Sequence, residues 1–216
     1  MKHDMAALTR EKGRGRGRWL CVAITLLVGP AGLGGVAVAG APTDSVKETI
    51  TQVIKILDEP DLKKPGKAEE RRRTLEKVIA ARFNYDEMAK RALGAEWGKL
   101  AEQDQREFVD LFKRLLSSSY ADKIEGYTGE EVHYLSERKE DKYAEVRTKI
   151  ISGKAEIPLD YRMVSNSDDW RVYDVVVDGV SLVNNYRGQF SKILRTSSYA
   201  DLAEKLRQKI EKPKAP

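Results

Sequence analysis

His133 is the one imidazole beyond the first forty residues of this 216-residue chain, and it limits the chemistry the sequence can support. A metal site built from several histidines is excluded there, and any nucleophile activated by an imidazole has to use this residue. His133 stands in an alternating stretch, Glu131-Val132-His133-Tyr134, where a lone histidine is ordinarily structural. Gly179-Val180-Ser181-Leu182-Val183 supplies the first glycine and the serine of a nucleophile elbow, but valine stands where the second glycine is required. No Gly-rich phosphate loop or Walker sequence occurs, so no nucleotide and no other cofactor is expected. Carboxylates are plentiful without any being set apart by its neighbours. A carboxylate-based isomerase or hydrolase, with an acid–base pair in a cleft, therefore stays open as a reading.

A second unusual stretch is VVVDGVSLVNNYRGQF, residues 175–190. It begins as an apolar strand, turns at Asp178-Gly179, and continues into amides, an arginine and two aromatics. Read as strand, turn and helix, it sends Leu182, Tyr186 and Phe190 inward at an interval of four. Asn184, Asn185 and Arg187 then face water or the rim of a pocket.

The elements that must position these residues follow from periodicity. Residues 1–18 carry six basic and two acidic side chains, and an uncharged run from Trp19 to Ala41 contains Ala37-Val38-Ala39. This pattern predicts a secretory signal peptide over 1–39, cleaved after Ala39 and placing the rest of the chain in the periplasm; a retained anchor is the alternative. Of 39 Lys and Arg six fall in that leader, and of 34 Asp and Glu two, which leaves 33 against 32. Such interspersed, nearly balanced charge argues against nucleic acid as a partner. The only cysteine, Cys21, leaves with the leader, so the remainder has to be held by its core. One domain over 40–212 and a flexible tail over 213–216 are expected.

Within that domain, Val46, Ile50, Val53, Ile54 and Leu57 predict a helix starting at Asp44 as N-cap. Leu75, Val78, Ile79 and Phe83 mark a second helix, and Asn84 with Glu87 caps a third that stops at Gly94. The longest helix, about Glu102 to Ile124, has a wide apolar face. Four strands with period two follow, through Val132, Val146, Tyr161 and Val175, with Pro158 marking its strand as an edge or the start of a bulge. Two helices close the chain, through Leu182 to Leu194 and Tyr199 to Ile210. The expected fold class is α+β, with helices packed on a curved antiparallel four-stranded sheet that encloses an apolar pocket.

FNYDEMAKRALGAEW (83–97), QREFVDLFKRLLSSSY (105–120) and above all WRVYDVVVDGVSLVNNYRGQF (170–190) together resemble the MlaC-type, or toluene-tolerance auxiliary, family of periplasmic phospholipid carriers. The resemblance extends over roughly 44–210. Ala101 departs from it where a hydroxyl helix cap is common, and Gly188 lies inside a predicted helix. The resemblance implies a non-enzymatic shuttle whose apolar pocket takes the acyl chains of a phospholipid ligand. It also implies two partners, an outer-membrane lipoprotein-porin complex and an inner-membrane ABC lipid transporter complex. On this reading Leu111, Phe112, Leu115, Val146, Tyr161, Val175, Leu182 and Tyr186 line the pocket, and Asn185 and Arg187 form its headgroup rim. A binding or chaperone module for other hydrophobic ligands remains the first alternative.

Overall fold

The computed structural model describes residues 41–167 and 169–211; the expected leader and tail lie outside the described residues. Helix α1, Pro42–Asp58, starts two residues earlier than Asp44. Pro42, with its fixed φ and no N–H to lose, opens the helix, and Asp44 sits in the first turn where its charge meets the positive end of the dipole. Helix α2 is Ala68–Arg82. Helix α3, Tyr85–Leu93, is capped as its sequence predicts: the Asn84 side chain accepts from the Glu87 amide, and the helix stops at Gly94 in the left-handed region. A 3-10 turn over Gly94–Lys99 leads to α4, Glu102–Glu125, whose N-cap Ala101 contributes no side-chain cap.

The sheet follows as a meander: β1 Glu131–Glu140, β2 Tyr143–Ser152, β3 Ala155–Asn166, β4 Asp169–Val177 and β5 Val180–Ser181. Every neighbouring pair is antiparallel and the spatial order is the chain order. This corrects the expected four-stranded sheet curved around an enclosed pocket. Among the described residues there are five strands, because the Asp178-Gly179 turn folds Val180 and Ser181 back onto Val177 and Val176 before the next helix begins. The sheet is also neither closed nor strongly curled, since β1 and β5 remain its two edges. Pro158 lies in β3, an interior strand, and pairs with Lys149 of β2; its carbonyl accepts from the Asp178 amide at 2.9 Å, and with no N–H to return that bond the ladder with β4 begins at Leu159. Helices α5, Leu182–Leu194, and α6, Tyr199–Glu211, complete the chain.

Two apolar cores result. The larger joins α3, α4, α5 and α6, with Met88, Phe108, Phe112, Tyr186, Phe190 and Leu202 among its buried members. Three of its ring pairs meet edge to face: Phe112 lies 5.3 Å from Tyr186 and 5.8 Å from Phe190, and Phe108 5.7 Å from Phe190. The smaller core joins α1 to the sheet through Val46, Ala144, Val146, Met163, Trp170 and Val172. No residue of α2 belongs to either core among the described residues.

One carboxylate ties the sheet to the helical core. Asp174, on β4 and 3% exposed, accepts from the Ser181 hydroxyl at 2.6 Å, the Val183 amide at 3.0 Å and the Arg162 guanidinium at 3.1 Å. Ser181 in turn accepts from the Asn184 amide and so caps α5. The serine of the incomplete elbow is thus a helix cap, and two of the orphan N–H groups of that helix are satisfied from the strands before it.

Candidate binding cleft

Between the two cores lies an apolar cleft of about 310 Å³, at the lower end of the ~300–1,000 Å³ usual for small-molecule sites. Helix α1 contributes Val46, Ile50 and Val53, α2 contributes Leu75 and Ile79, and α4 contributes Leu116, Tyr120 and Ile124. Leu159 and Tyr161 of β3, Val172, Val175 and Val177 of β4, and Leu182 at the start of α5 form the opposite wall. The helical side follows from periodicity: Val46, Ile50 and Val53 stand on one face of α1, and Leu116, Tyr120 and Ile124 recur every four residues along α4. Several of these apolar side chains, Ile50, Val53, Ile79, Tyr161, Val175 and Leu182, are only partly buried although the cleft gathers them together.

The phenols facing the cleft are neutral. Burial, and then the Tyr134 ring, push Tyr161 far above the ordinary value of 10. Burial, reinforced by Glu76, takes Tyr85 up to about 12. Charge is confined to four lining residues, each of them partnered. Arg82 donates to the Trp170 carbonyl at 2.8 Å and to the Thr49 hydroxyl at 3.2 Å, which fastens α1 and α2 to β4. Glu76 of α2 accepts from Ser117 of α4 at 2.9 Å. Arg72 lies 2.8 Å from Glu125, which also receives Arg71 at 2.7 Å. Burial alone would raise the Glu125 carboxyl, but the hydrogen bonds and charges of Arg71 and Arg72 outweigh it and hold the group below its ordinary 4.5. Among the described residues no group of three or more His, Cys, Asp and Glu could hold a metal ion, and no helix is long and apolar enough to cross a membrane. His133 is exposed on β1 beside Glu131.

Of the residues expected to line a pocket, Tyr161, Val175 and Leu182 come together at the cleft. Leu111, Phe112, Leu115 and Tyr186 are placed in the helical core, and Val146 in the core under the sheet. Asn185 is exposed within hydrogen-bond range of Gln189, and Arg187 lays its guanidinium against Gly94, where a Cβ would approach it to 2.9 Å. Neither lines the cleft. Gly94 therefore serves two ends, ending α3 at positive φ and leaving room for Arg187 at that helix's negative pole. The α1 and α2 contributions to the cleft went unassigned from sequence. The signal that could have found them is the polar character of α2, whose few apolar side chains suit a wall rather than a core.

A profile of the MlaC protein family matches residues 47–208. The chain belongs to the MlaC family. The intermembrane phospholipid transport system binding protein MlaC of Haemophilus influenzae (strain ATCC 51907 / DSM 11121 / KW20 / Rd) is 23% identical over 136 residues, covering 60% of this chain. The match spans 64% of that relative's length, just under two thirds. The phospholipid-binding protein of Ralstonia solanacearum, whose structure is of a complex with a phospholipid, has the same fold: TM-score 0.71, 24% identity, covering 79% of this chain and 97% of that one.

Proposed function

We propose that the protein is a periplasmic phospholipid carrier that shelters acyl chains in the cleft between its two cores. The observation that carries this is the cleft itself, an apolar hollow on an MlaC fold whose walls leave hydrocarbon surface unpacked. A diacyl lipid has on the order of 30 methylenes, each worth about 0.8 kcal/mol on exposure to water, so free desorption faces roughly 20 kcal/mol or more. A protein wall of Ile50, Val53, Ile79, Val175 and Leu182 replaces membrane hydrocarbon with protein hydrocarbon, which leaves a small difference that a membrane partner can tip either way. The carrier then needs no nucleotide of its own, in keeping with the absence of a phosphate loop from its sequence. The partners on this reading are an outer-membrane lipoprotein-porin complex and an inner-membrane ABC lipid transporter. The leader over 1–39 would deliver the chain to the space between them. What the named relatives bind supports the same ligand class.

Native mass spectrometry of the purified protein, followed by organic extraction, tests the reading. One diacyl phospholipid per chain is the expected result. A protein that holds a different hydrophobic compound, or none after incubation with phospholipid vesicles, overturns it.

A further inference from the structure

Helix α2 is fastened to α4 in an unusual way. It packs on α1, buries Leu75 outside both cores, and reaches α4 across the cleft through polar side chains. Glu125, in the last turn of α4, receives Arg71 on one oxygen at 2.7 Å and Arg72 on the other at 2.8 Å. Arg72 lies 3.6 Å from Asp122 as well, and Ser117 donates to Glu76 one turn further along the cleft. Arg71 also donates to the Leu62 carbonyl, which ties the latch to the loop before α2. The Glu125 side chain is only 12% exposed, while that of Arg72 is 44% exposed and lines the cleft. One buried anion thus holds two guanidiniums where the cleft meets water.

The cleft in this state is at the small end for a drug-sized ligand, and a diacyl lipid is larger. A ligand too large for it would have to part α2 from α4, and with them Glu125 from its arginines. Two guanidiniums, that of Arg71 mostly buried and that of Arg72 exposed at the cleft mouth, would then stand without Glu125 and be open to another anion. A phosphate oxyanion suits the same forked donors as a carboxylate does.

Resting on the carrier reading, we infer that Arg71 and Arg72 form the phosphate site of this protein: the lipid phosphate takes the place of Glu125 as the latch opens, so loading and opening are one exchange of anions. The site selects a phosphate-bearing lipid over a neutral one with the same tails. Arg187, expected at the rim, takes no part, because its guanidinium is laid against Gly94.

The test compares delipidated wild-type protein with the E125Q and R71Q/R72Q variants. Each is titrated with phosphatidate and with diacylglycerol of the same acyl chains. The expected wild-type preference for phosphatidate is roughly tenfold, the scale of a charge-assisted hydrogen-bonded pair. E125Q removes the competing anion and raises the preference further; R71Q/R72Q brings it toward one. Equal preference in all three proteins while both lipids bind overturns the phosphate site alone. Failure of the wild-type chain to take up either lipid overturns the carrier reading and the site with it. Calorimetry with inorganic phosphate alone separates the two sources of the anion. No uptake at concentrations where phosphatidate is bound supports a lipid headgroup, and equally tight uptake overturns it in favour of a free phosphate.

Discussion

The two halves of α4 belong to one continuous apolar row and are finished differently. Phe108, Phe112, Leu116, Tyr120 and Ile124 recur every four residues, and on a helix of 3.6 residues per turn each step drifts by about 40°. Phe108 and Phe112 consequently face α5 and α6, where rings from Tyr186, Phe190 and Tyr199 complete the packing. By Tyr120 and Ile124 the row has turned toward α1, α2 and the sheet, and there no side chain of the described residues fills the space. Leu116, buried in the helical core and also lining the cleft, marks the changeover. The same residue types at the same spacing therefore make a core at one end and a receptacle at the other. What distinguishes them is whether the facing element brings bulk, as α5 does with two aromatics, or branched aliphatics and salt bridges, as α1 and α2 do.

The largest effect should come from the finished end. Phe112→Ala is expected to destabilise the fold by about 3–5 kcal/mol, read from denaturant unfolding, because three neighbouring aromatic contacts lose their partner around a cavity. Removing Asp174 as Asp174→Ala should cost about 2–3 kcal/mol, since the Val183 amide and the Ser181 hydroxyl lose their acceptor and Arg162 its main counter-ion. The unfinished end should answer in the opposite sense. Val175→Trp pushes bulk into the cleft and is expected to cut bound lipid roughly tenfold while changing unfolding stability by less than about 1 kcal/mol. Equal loss of stability in the Phe112 and Val175 variants would break the distinction between core and receptacle.

The smallest effect concerns the polar edge of the cleft. Glu125 has its carboxyl held below 4.5 in the folded chain, so its contribution is present in full above that value and is lost as the pH falls through the lowered one. Arg72 is 44% exposed, which keeps the contribution to about 1 kcal/mol or less. The stability gap between wild type and Glu125→Gln should therefore be present at neutral pH and close in acid, as measured by unfolding at the two extremes. A gap that persists in acid would mean that the glutamine acts through packing rather than charge.

Much of this architecture was legible in the residues. Asn84 with Glu87 marked the start of α3, Gly94 its end, and period two located β2, β3 and β4 within a few residues but only the start of β1, whose charged second half carries no apolar alternation. β5 was hidden because two residues between a turn and a helix carry no period. Asp174 was invisible for another reason: among 34 acidic residues only tertiary contact shows which one is buried beneath a helix N-terminus. The receptacle was half legible. Tyr161, Val175 and Leu182 were named on the sheet side, yet Leu111, Phe112, Leu115 and Tyr186 were assigned to the lining although the structure packs them into the core. A periodic stripe records which face turns inward, but whether that face meets protein or empty space depends on the volume brought by its neighbours.

Among the described residues no strand pairs with the outer edge of β1, which leaves one row of backbone donors and acceptors as a template on which a strand from another molecule could add. Its outer half reads Glu137-Arg138-Lys139-Glu140, almost wholly exposed, and follows an irregularity in register between Tyr134 and Ser136. Stacking a second copy there would crowd like charges and misalign the ladder. A border of this kind disfavours edge-to-edge addition in a chain that also keeps a greasy hollow in its middle.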